Sequence, residues 1–377
     1  MPKRGKVTEI WAGEHPVYMG AGSLAALYAR LKQEDDDVRV FLLGDENTLH
    51  SCLPELLGQL GSLRNTSTIE LKSGEQSKGL ETCRAVWEHL LSVEADRRAI
   101  LLNLGGGVIT DIGGFIAGTY KRGIRCMHVP TTLMGMCDAA IGGKCGIDMG
   151  GVKNSVGLIE QPIGVYVHVP FLRTLGKREL LNGVAEMIKH GLALDADHYQ
   201  AVRDAALHDM DELEPLIQRS ATLKAAVVTA DLRENGERKK LNFGHTIGHA
   251  MEAHSWESGQ RTLLHGEAVA MGMIAESWLS WKQKLLDRES LDAIAVHILS
   301  LYKPYPLMPS DHHRLIALMR NDKKNRGAAG SEGGIRVTLL KRIGEAVVDV
   351  EVTATQLSEA IEYYRHLVAH NALHHRS

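Results

Sequence analysis

The sequence predicts two domains: an α/β domain built on a parallel β-sheet over residues 1–170, and a mainly α-helical domain over residues 171–377. In the first, short apolar runs alternate with amphipathic segments, a pattern typical of strands that alternate with helices. After Pro170, strand-like runs become rare and helical spacing dominates. The predicted strands of the first domain are residues 38–43, 67–71, 99–104, 126–129 and 165–169.

The second domain is predicted from apolar residues that recur three and four positions apart. Because ligands commonly bind in a cleft between domains, we expect the active site to lie there. The predicted elements are helices at 177–192, 197–208, 212–231, 266–285 and 356–370 and a strand at 334–341.

Composition and charge favour a protein that acts on a small molecule. Of the 377 residues, 44% are hydrophobic, which is enough for the cores of two domains. The net charge of −3 and the pI of about 6.7 give no basic excess for binding a nucleic acid. No apolar run approaches the roughly 18 residues that a bilayer span needs. We therefore expect neither a nucleic-acid partner nor a membrane.

The N-terminal residues and the cysteines predict a cytoplasmic protein. The first residues carry positive charge without the apolar core of a signal peptide. The five cysteines form no CxxC pair, and their odd number is typical of a reduced protein.

A glycine-rich loop follows the predicted strand at 99–104. It has the sequence GGGVITD at 105–111 and lacks the last glycine of the GxGxxG fingerprint. Glycines let a backbone approach a pyrophosphate, whose charge would then lie at the N-terminus of the next helix. A tight turn is the alternative, so the loop alone does not identify a nucleotide site.

Two other strand ends carry similar chemistry. Thr131 and Thr132 place hydroxyl groups after the strand at 126–129. Asp45 and Asn47 follow the strand at 38–43 and could hydrogen-bond a ribose. Since ligands of parallel sheets bind beyond the carboxyl ends of the strands, the three loops together predict a Rossmann-like nucleotide-binding domain.

A further group of residues has the chemistry of a metal site. His245 and His249 would share one face of a helix, as would Glu186 and Lys189 upstream, and His265 follows in a second His-Gly motif. A carboxylate with two imidazoles would hold Zn²⁺ or a similar ion and leave positions open for a substrate.

Spacing of the HxxxH type is a weak signal by itself, because the chain has 19 histidines. His366 and His370 have the same spacing, and we interpret them as part of a solvated C-terminal helix. The first group differs because its histidines lie among Gly and Thr in apolar helices, where an unpaired imidazole is costly to bury.

A series of cations stands in short motifs. Most Lys and Arg side chains are solvated, so each one alone is a weak signal. Cations beside glycines or within apolar stretches are better placed to bind phosphate or carboxylate. The series comprises Arg122, Lys144, Lys153 (with Asn154), Lys189, Lys224, Arg238 and Lys324.

Taken in order, the motifs resemble those of the 3-dehydroquinate synthase family. The chain carries GGGVITDIGGF, YKRG, HVPTTL, DAAIGGK, VKNSVG, RTLGKREL, GVAEMIKHG, RENGERKKLNFGHTIGHAMEA, LLHGEAVAMGM and NDKKN. The similarity is collinear over residues 45–349, and many short motifs in one order are far more specific than any single motif. Departures at 145–148 and 255–262 alter loops but remove no matched residue.

The resemblance implies NAD and a divalent metal as cofactors, with zinc as the expected metal and cobalt as the alternative. Glu186, His245 and His265 match the metal ligands of the family. The positions that match its NAD contacts are Asp45, Asn47, Glu75, Lys78, Gly106, Gly107, Val108, Asp111, Thr131, Thr132, Lys144, Lys153, Thr174, Leu175 and Glu179.

The resemblance also implies a reaction of the shikimate pathway of aromatic amino acid biosynthesis. The substrate 3-deoxy-D-arabino-heptulosonate 7-phosphate would give 3-dehydroquinate and phosphate through transient oxidation by NAD, phosphate elimination, re-reduction and aldol closure. Arg122 matches an arginine supplied by a neighbouring subunit, which implies a homodimer. The other positions that match residues around the substrate are Asp138, Lys144, Lys153, Asn154, Lys189, Lys224, Arg238, Asn242, His249 and Lys324.

Three alternatives stay open at this point. Other sugar phosphate cyclases, which make 2-deoxy-scyllo-inosose or 2-epi-5-epi-valiolone, share NAD and metal, whereas Arg238 and Asn242 favour a substrate with a carboxylate. An aminodehydroquinate synthase, which takes a nitrogen-bearing analogue of the substrate, is not excluded by this argument. A metal-dependent alcohol or glycerol dehydrogenase would release NADH. A non-catalytic nucleotide- or metal-binding protein would bind its ligands without turnover.

Overall fold

The structure, a computed structural model, describes residues 5–60, 66–150, 152–321 and 334–374. The chain forms two compact units: the first comprises Met1–Gly183 and Ala206–Arg233, and the second comprises Val184–Ala205 and Glu234–Ser377. These units divide the chain at other positions than residue 170, and the predicted domain boundary there stays a prediction.

The first unit is built on a mostly parallel sheet, which confirms the predicted fold class of this half. Among the described residues the sheet has the strand order β1-β2-β9-β6-β5-β3-β4, and only β1 runs antiparallel to its neighbour. The separate pair β7-β8 forms an antiparallel hairpin. The strands are β1 (Thr8–Ala12), β2 (His15–Met19), β3 (Val40–Asp45), β4 (Thr66–Leu71), β5 (Ile100–Gly105), β6 (Arg125–Pro130), β7 (Lys144–Met149), β8 (Val152–Ile159) and β9 (Val165–Val167).

Helices cover this sheet and bury its central strands. Strands β3 and β5 are apolar on both faces, as expected for parallel strands between two helical layers. Phe41 and Leu101 of these strands pack in one core cluster with Ile112 and Ile116. The helices of the first unit are α1 (Ser23–Leu31), α2 (Glu46–Ser51), α3 (Leu53–Leu60), α4 (Leu80–Ser92), α5 (Gly107–Thr119), the start of α6 (Lys177–Leu194) and α8 (Met210–Ala230).

The second unit is mainly helical, as predicted. Its one described sheet is the antiparallel hairpin β10-β11. No described helix combines the length and the apolar character that crossing a membrane requires. The elements are the rest of α6, α7 (Ala196–Asp204), α9 (His245–Glu257), α10 (His265–Lys282), α11 (Arg288–Leu301), α12 (Asp311–Asn321), β10 (Ile335–Arg342), β11 (Glu345–Val352) and α13 (Ala354–His374).

The predicted strands and helices are all present, with ends that shift by a few residues. Helix α8 was expected in the second domain, whereas in the structure it packs on β1 and belongs to the first unit. Helical periodicity reports which face of a helix is buried and not which partner buries it.

Candidate active site

The carboxyl ends of β3, β5 and β6 bring three predicted nucleotide-binding loops to one edge of the sheet. The parallel register pairs Gly44 with Leu104 and Gly105 with Pro130, so the residues that follow each strand lie beside one another. Thr131 also donates its backbone N–H to the Gly105 carbonyl at 3.0 Å. The first unit therefore groups the predicted loops where parallel sheets bind ligands.

The glycine-rich loop leads directly into helix α5. Gly106 precedes the helix, and no side chain caps its first turn. The first N–H groups of a helix have no partner within it, so those of Gly107 and Val108 can receive an anion. A Cβ at Gly106 would lie 2.8 Å from Cγ2 of Thr132, which shows how closely the two loops pack.

The side chains beside this loop offer polar groups. The Thr131 hydroxyl is buried and, within the described part of the chain, has no hydrogen-bond partner. A buried hydroxyl without a partner is costly, and a ligand at this edge would satisfy it. Asp45 caps α2 by accepting the backbone N–H of Thr48 at 2.9 Å, and Asn47, two residues after Asp45, is exposed.

Lys78 and Asp111 form a buried ion pair at 2.5 Å. Burial lowers the pKa of Lys78, but Asp111 and Glu75 outweigh that effect and hold it above its usual value. Lys153 of β8 lies 3.3 Å from Glu75, which joins the β7-β8 hairpin to the same group. Four predicted NAD contacts therefore form one charged cluster.

The remaining predicted NAD contacts lie around the start of α6. Thr174 ends a 3-10 helix, and its hydroxyl donates to the Phe171 carbonyl at 3.0 Å. Leu175 follows it, and Glu179 is exposed in the first turn of α6.

The first unit also carries several of the predicted substrate residues. Asp138 accepts a hydrogen bond from Lys224 of α8 at 2.5 Å. Lys144 begins β7 and is exposed. Asn154 has a φ of +48° and donates its backbone N–H to Asp148. Arg122 is exposed after α5, also with a positive φ. Lys324 lies outside the described residues.

The predicted metal ligands converge within the second unit. Glu186 of α6 is fully buried, and its Oε1 atom lies 3.4 Å from Nε2 of His265 and 3.7 Å from Nε2 of His245. His249 adds a third imidazole, and one ring nitrogen from each of the three histidines lies within 4.8 Å of the other two. One carboxylate with imidazole nitrogens fits the preferences of Zn²⁺.

The ring orientations also suit a metal. The Nδ1 atom of His245 lies 3.1 Å from the Phe243 carbonyl, and that of His265 lies 3.2 Å from Glu252 Oε2. Because a carbonyl and a carboxylate only accept, each Nδ1 carries a proton, and each Nε2 would bind a metal through its lone pair once its own proton is lost. Burial lowers the pKa of His265, but its hydrogen bonds to Glu186 and Glu252 raise it to about 9.

A close contact between α9 and α10 brings the two histidines together. A Cβ at Gly272 of α10 would lie 2.0 Å from the Gly244 carbonyl, so no larger residue fits there. Gly244 itself has a φ of +79° and turns the chain into α9 directly before His245. Glycines at this contact therefore let α9 and α10 approach each other closely. The first residues of these two helices are His245 and His265.

One cation contacts this cluster, and a second cation and an amide lie in the segment that precedes α9. Lys189 forms an ion pair with Glu186, one turn away on α6. Arg238 is buried in the 3-10 segment Glu237–Asn242 that precedes α9. At the end of that segment, Asn242 donates to Glu234 at 2.6 Å.

Sequence reasoning missed three carboxylates in this region: Glu234, Glu252 and Glu276. Glu276 of α10 is fully buried and accepts the backbone N–H groups of Gly244 and Ile247 at 2.6 and 3.0 Å. The positions of Glu252 and Glu276 within apolar helices were the available signal, because an ionised carboxylate is seldom buried without a partner.

Comparison with solved structures defines the class. The 2-epi-5-epi-valiolone synthase of Streptomyces hygroscopicus subsp. jinggangensis, solved with NAD⁺ and Zn²⁺ bound, is 26% identical, with a TM-score of 0.82 over 96% of this chain and 99% of that chain. The fold is that of the sugar phosphate cyclases.

Comparison with families and curated proteins is more specific. The family described as 3-dehydroquinate synthase N-terminal matches residues 68–182, and the corresponding C-terminal family matches residues 183–325. The 3-dehydroquinate synthase of Parabacteroides distasonis is 40% identical over 87% of this chain and 91% of that protein. That of Halorhodospira halophila is 36% identical over 95% and 99%. The chain belongs to the 3-dehydroquinate synthase family.

Proposed function

We infer that this chain catalyses the reaction of its family, a carbon–oxygen lyase reaction that converts 3-deoxy-D-arabino-heptulosonate 7-phosphate to 3-dehydroquinate and phosphate. The observation that carries this function is the convergence of His245 and His265 on one oxygen of Glu186. Such a cluster is what a metal-assisted reaction of an alcohol requires.

The residues present fit both expected cofactors. The uncapped start of α5, the buried Thr131 hydroxyl and the Lys78–Asp111 pair would hold the pyrophosphate and polar groups of NAD. Glu186, His245 and His265 would hold the metal. When bound, NAD supplies transient oxidation of a substrate hydroxyl, and the metal polarises that oxygen.

The chain's own residues would bind the two ends of the substrate. Arg238 is buried, and its planar guanidinium can make two parallel hydrogen bonds to a carboxylate. We assign Lys224 and Asn242 to the same end. We assign the phosphate end to Lys144, Asn154, Lys189, His249, Lys324 and Arg122.

We also propose that the enzyme is a homodimer in which Arg122 serves the partner's site. Arg122 and Lys121 both have positive φ values, which cost energy in residues other than glycine. Arg122 is exposed in this turn, as a residue that acts on another subunit must be in the isolated chain.

Phosphate release from the heptulosonate phosphate tests the function. We expect release that needs NAD⁺, stops with a chelator and leaves the nicotinamide absorbance unchanged at the end of turnover. Sedoheptulose 7-phosphate, which lacks the carboxylate, serves as the matched substrate control. Faster turnover of that sugar, or net NADH production, would contradict the assignment.

A further inference from the structure

Glu252 contacts a predicted metal ligand but has been given no role so far. It lies on α9, is only 2% exposed, and places Oε2 3.2 Å from Nδ1 of His265. Burying a carboxylate costs several kcal/mol unless hydrogen bonds compensate. The contact with His265 offsets part of that cost and fixes the ring at the same time.

Glu276 makes a second contact between α9 and α10. It lies on α10 and accepts two backbone N–H groups at the start of α9, where the helix dipole favours a negative charge. Glu252 of α9 thus contacts the first residue of α10, and Glu276 of α10 contacts the first turn of α9. Because Glu276 and the Gly272 contact hold the helices together, loss of Glu252 would release the His265 ring and leave the helix pair in place.

We propose that Glu252 is a positioning residue of the metal centre: it keeps Nδ1 of His265 protonated and directs Nε2 toward Glu186. The Phe243 carbonyl makes the equivalent contact with His245, but it belongs to the backbone and cannot be removed by substitution. Outer-shell partners of this kind orient a ligand and raise its basicity. The inference rests on the proposed metal site, but it can fail independently of it.

Titration of the metal-free full-length chain with Co²⁺ tests the proposal, because the visible spectrum of Co²⁺ reports ligand geometry. We expect Glu252→Ala to lower Co²⁺ affinity roughly 10- to 100-fold and to change the spectrum of the bound ion. Glu252→Gln keeps an acceptor oxygen without the charge, so it should lose less affinity. Glu257→Gln, on the exposed surface of the same helix, is the matched control and should match the wild type.

The outcomes separate the two claims. If the wild type binds one Co²⁺ per chain and a folded Glu252 variant shows the same affinity and spectrum, the positioning role is wrong and the metal site stands. If Glu252→Ala does not fold, Glu252→Gln decides by the same criterion. A wild type that binds no Co²⁺ would overturn the positioning role together with the proposed function.

Discussion

The Nε2 atom of His265 lies 3.4 Å from Oε1 of Glu186. His265 is the first residue of α10, and Glu186 lies within α6, about 80 positions earlier in the chain. This contact brings α6 and α10 together at the Glu186 carboxylate. The proposed metal site is therefore the feature of the structure with the most direct consequences for activity.

Replacing His265 with Ala should remove both the metal and the activity. A ligand contributes directly to coordination, so the loss of metal affinity should exceed the roughly 10- to 100-fold typical of an outer-shell partner. Metal analysis of the purified protein and phosphate release measure the two effects. His366→Ala is the control, since His366 is 64% exposed on α13. A fully active, metal-free His265→Ala enzyme would contradict the assignment.

Replacing Arg238 with Ala should weaken the use of substrate and spare NAD binding. Loss of one partner of a buried charged pair costs about 2–5 kcal/mol, which corresponds to roughly a 30- to 4000-fold decrease in kcat/KM. Steady-state kinetics and NAD⁺ titration give the two quantities. Arg342→Ala, at a side chain 77% exposed in the same unit, should leave both unchanged. An equal loss of NAD⁺ affinity in Arg238→Ala would refute its placement at the carboxylate.

Replacing Gly106 with Ala should weaken NAD⁺ binding. The new Cβ would lie 2.8 Å from Thr132 and force the loop away from the start of α5. Overpacking of this kind costs about 1–3 kcal/mol, or roughly 5- to 150-fold in NAD⁺ affinity if the strain falls on the bound state. Gly58→Ala, in α3 with open space around its Cα, should bind NAD⁺ normally and gain about 0.5–1 kcal/mol of stability. Unchanged NAD⁺ affinity in Gly106→Ala would argue against this loop as the pyrophosphate site.

His128 should make the fold sensitive to acid. It is buried in β6, where Asn103 donates to its Nδ1 atom at 3.1 Å. Burial, with a smaller effect of His15, lowers its pKa to about 3. The unfolded chain, with a histidine pKa near 6.5, therefore binds this proton more readily, so stability falls as pH drops from about 6.5 toward 3.

Denaturant unfolding at pH 7 and pH 5 measures this effect. We expect His128 to account for about 1–2 kcal/mol of the loss in unfolding free energy between the two pH values. His128→Gln does not titrate, so its unfolding free energy should depend less on pH. Equal pH dependence of the two proteins would show that His128 titrates normally in the fold.

Mixed dimers should reveal whether Arg122 acts across subunits. Arg122→Ala and His265→Ala homodimers should each be nearly inactive. After subunit exchange, a mixed dimer would contain one complete site if Arg122 comes from the partner, and none if it acts within its own chain. Recovered phosphate release in the mixture supports the homodimer proposal, and no recovery from a mixture shown to contain mixed dimers contradicts it.

The sequence by itself determined the strand ends that form the nucleotide-binding edge and the helical character of the second half. Both follow from local rules: apolar periodicity sets element type, and Gly, Asp and Thr after a strand set the loop chemistry. The sequence did not predict strands β1 and β2. Their mixed polar and apolar residues resemble a loop, and they become recognisable as strands only through their pairing.

The tertiary structure decided which groups meet. Glu186, His245 and His265 could be proposed as a set from their motifs, but the contacts of Glu252 and Glu276 across α9 and α10 could not. Those contacts depend on a helix approach that Gly272 permits, and the position of α8 depends in the same way on its packing against β1. Sequence patterns specify which face of an element is buried, whereas its partner is chosen by contacts between residues distant in the chain.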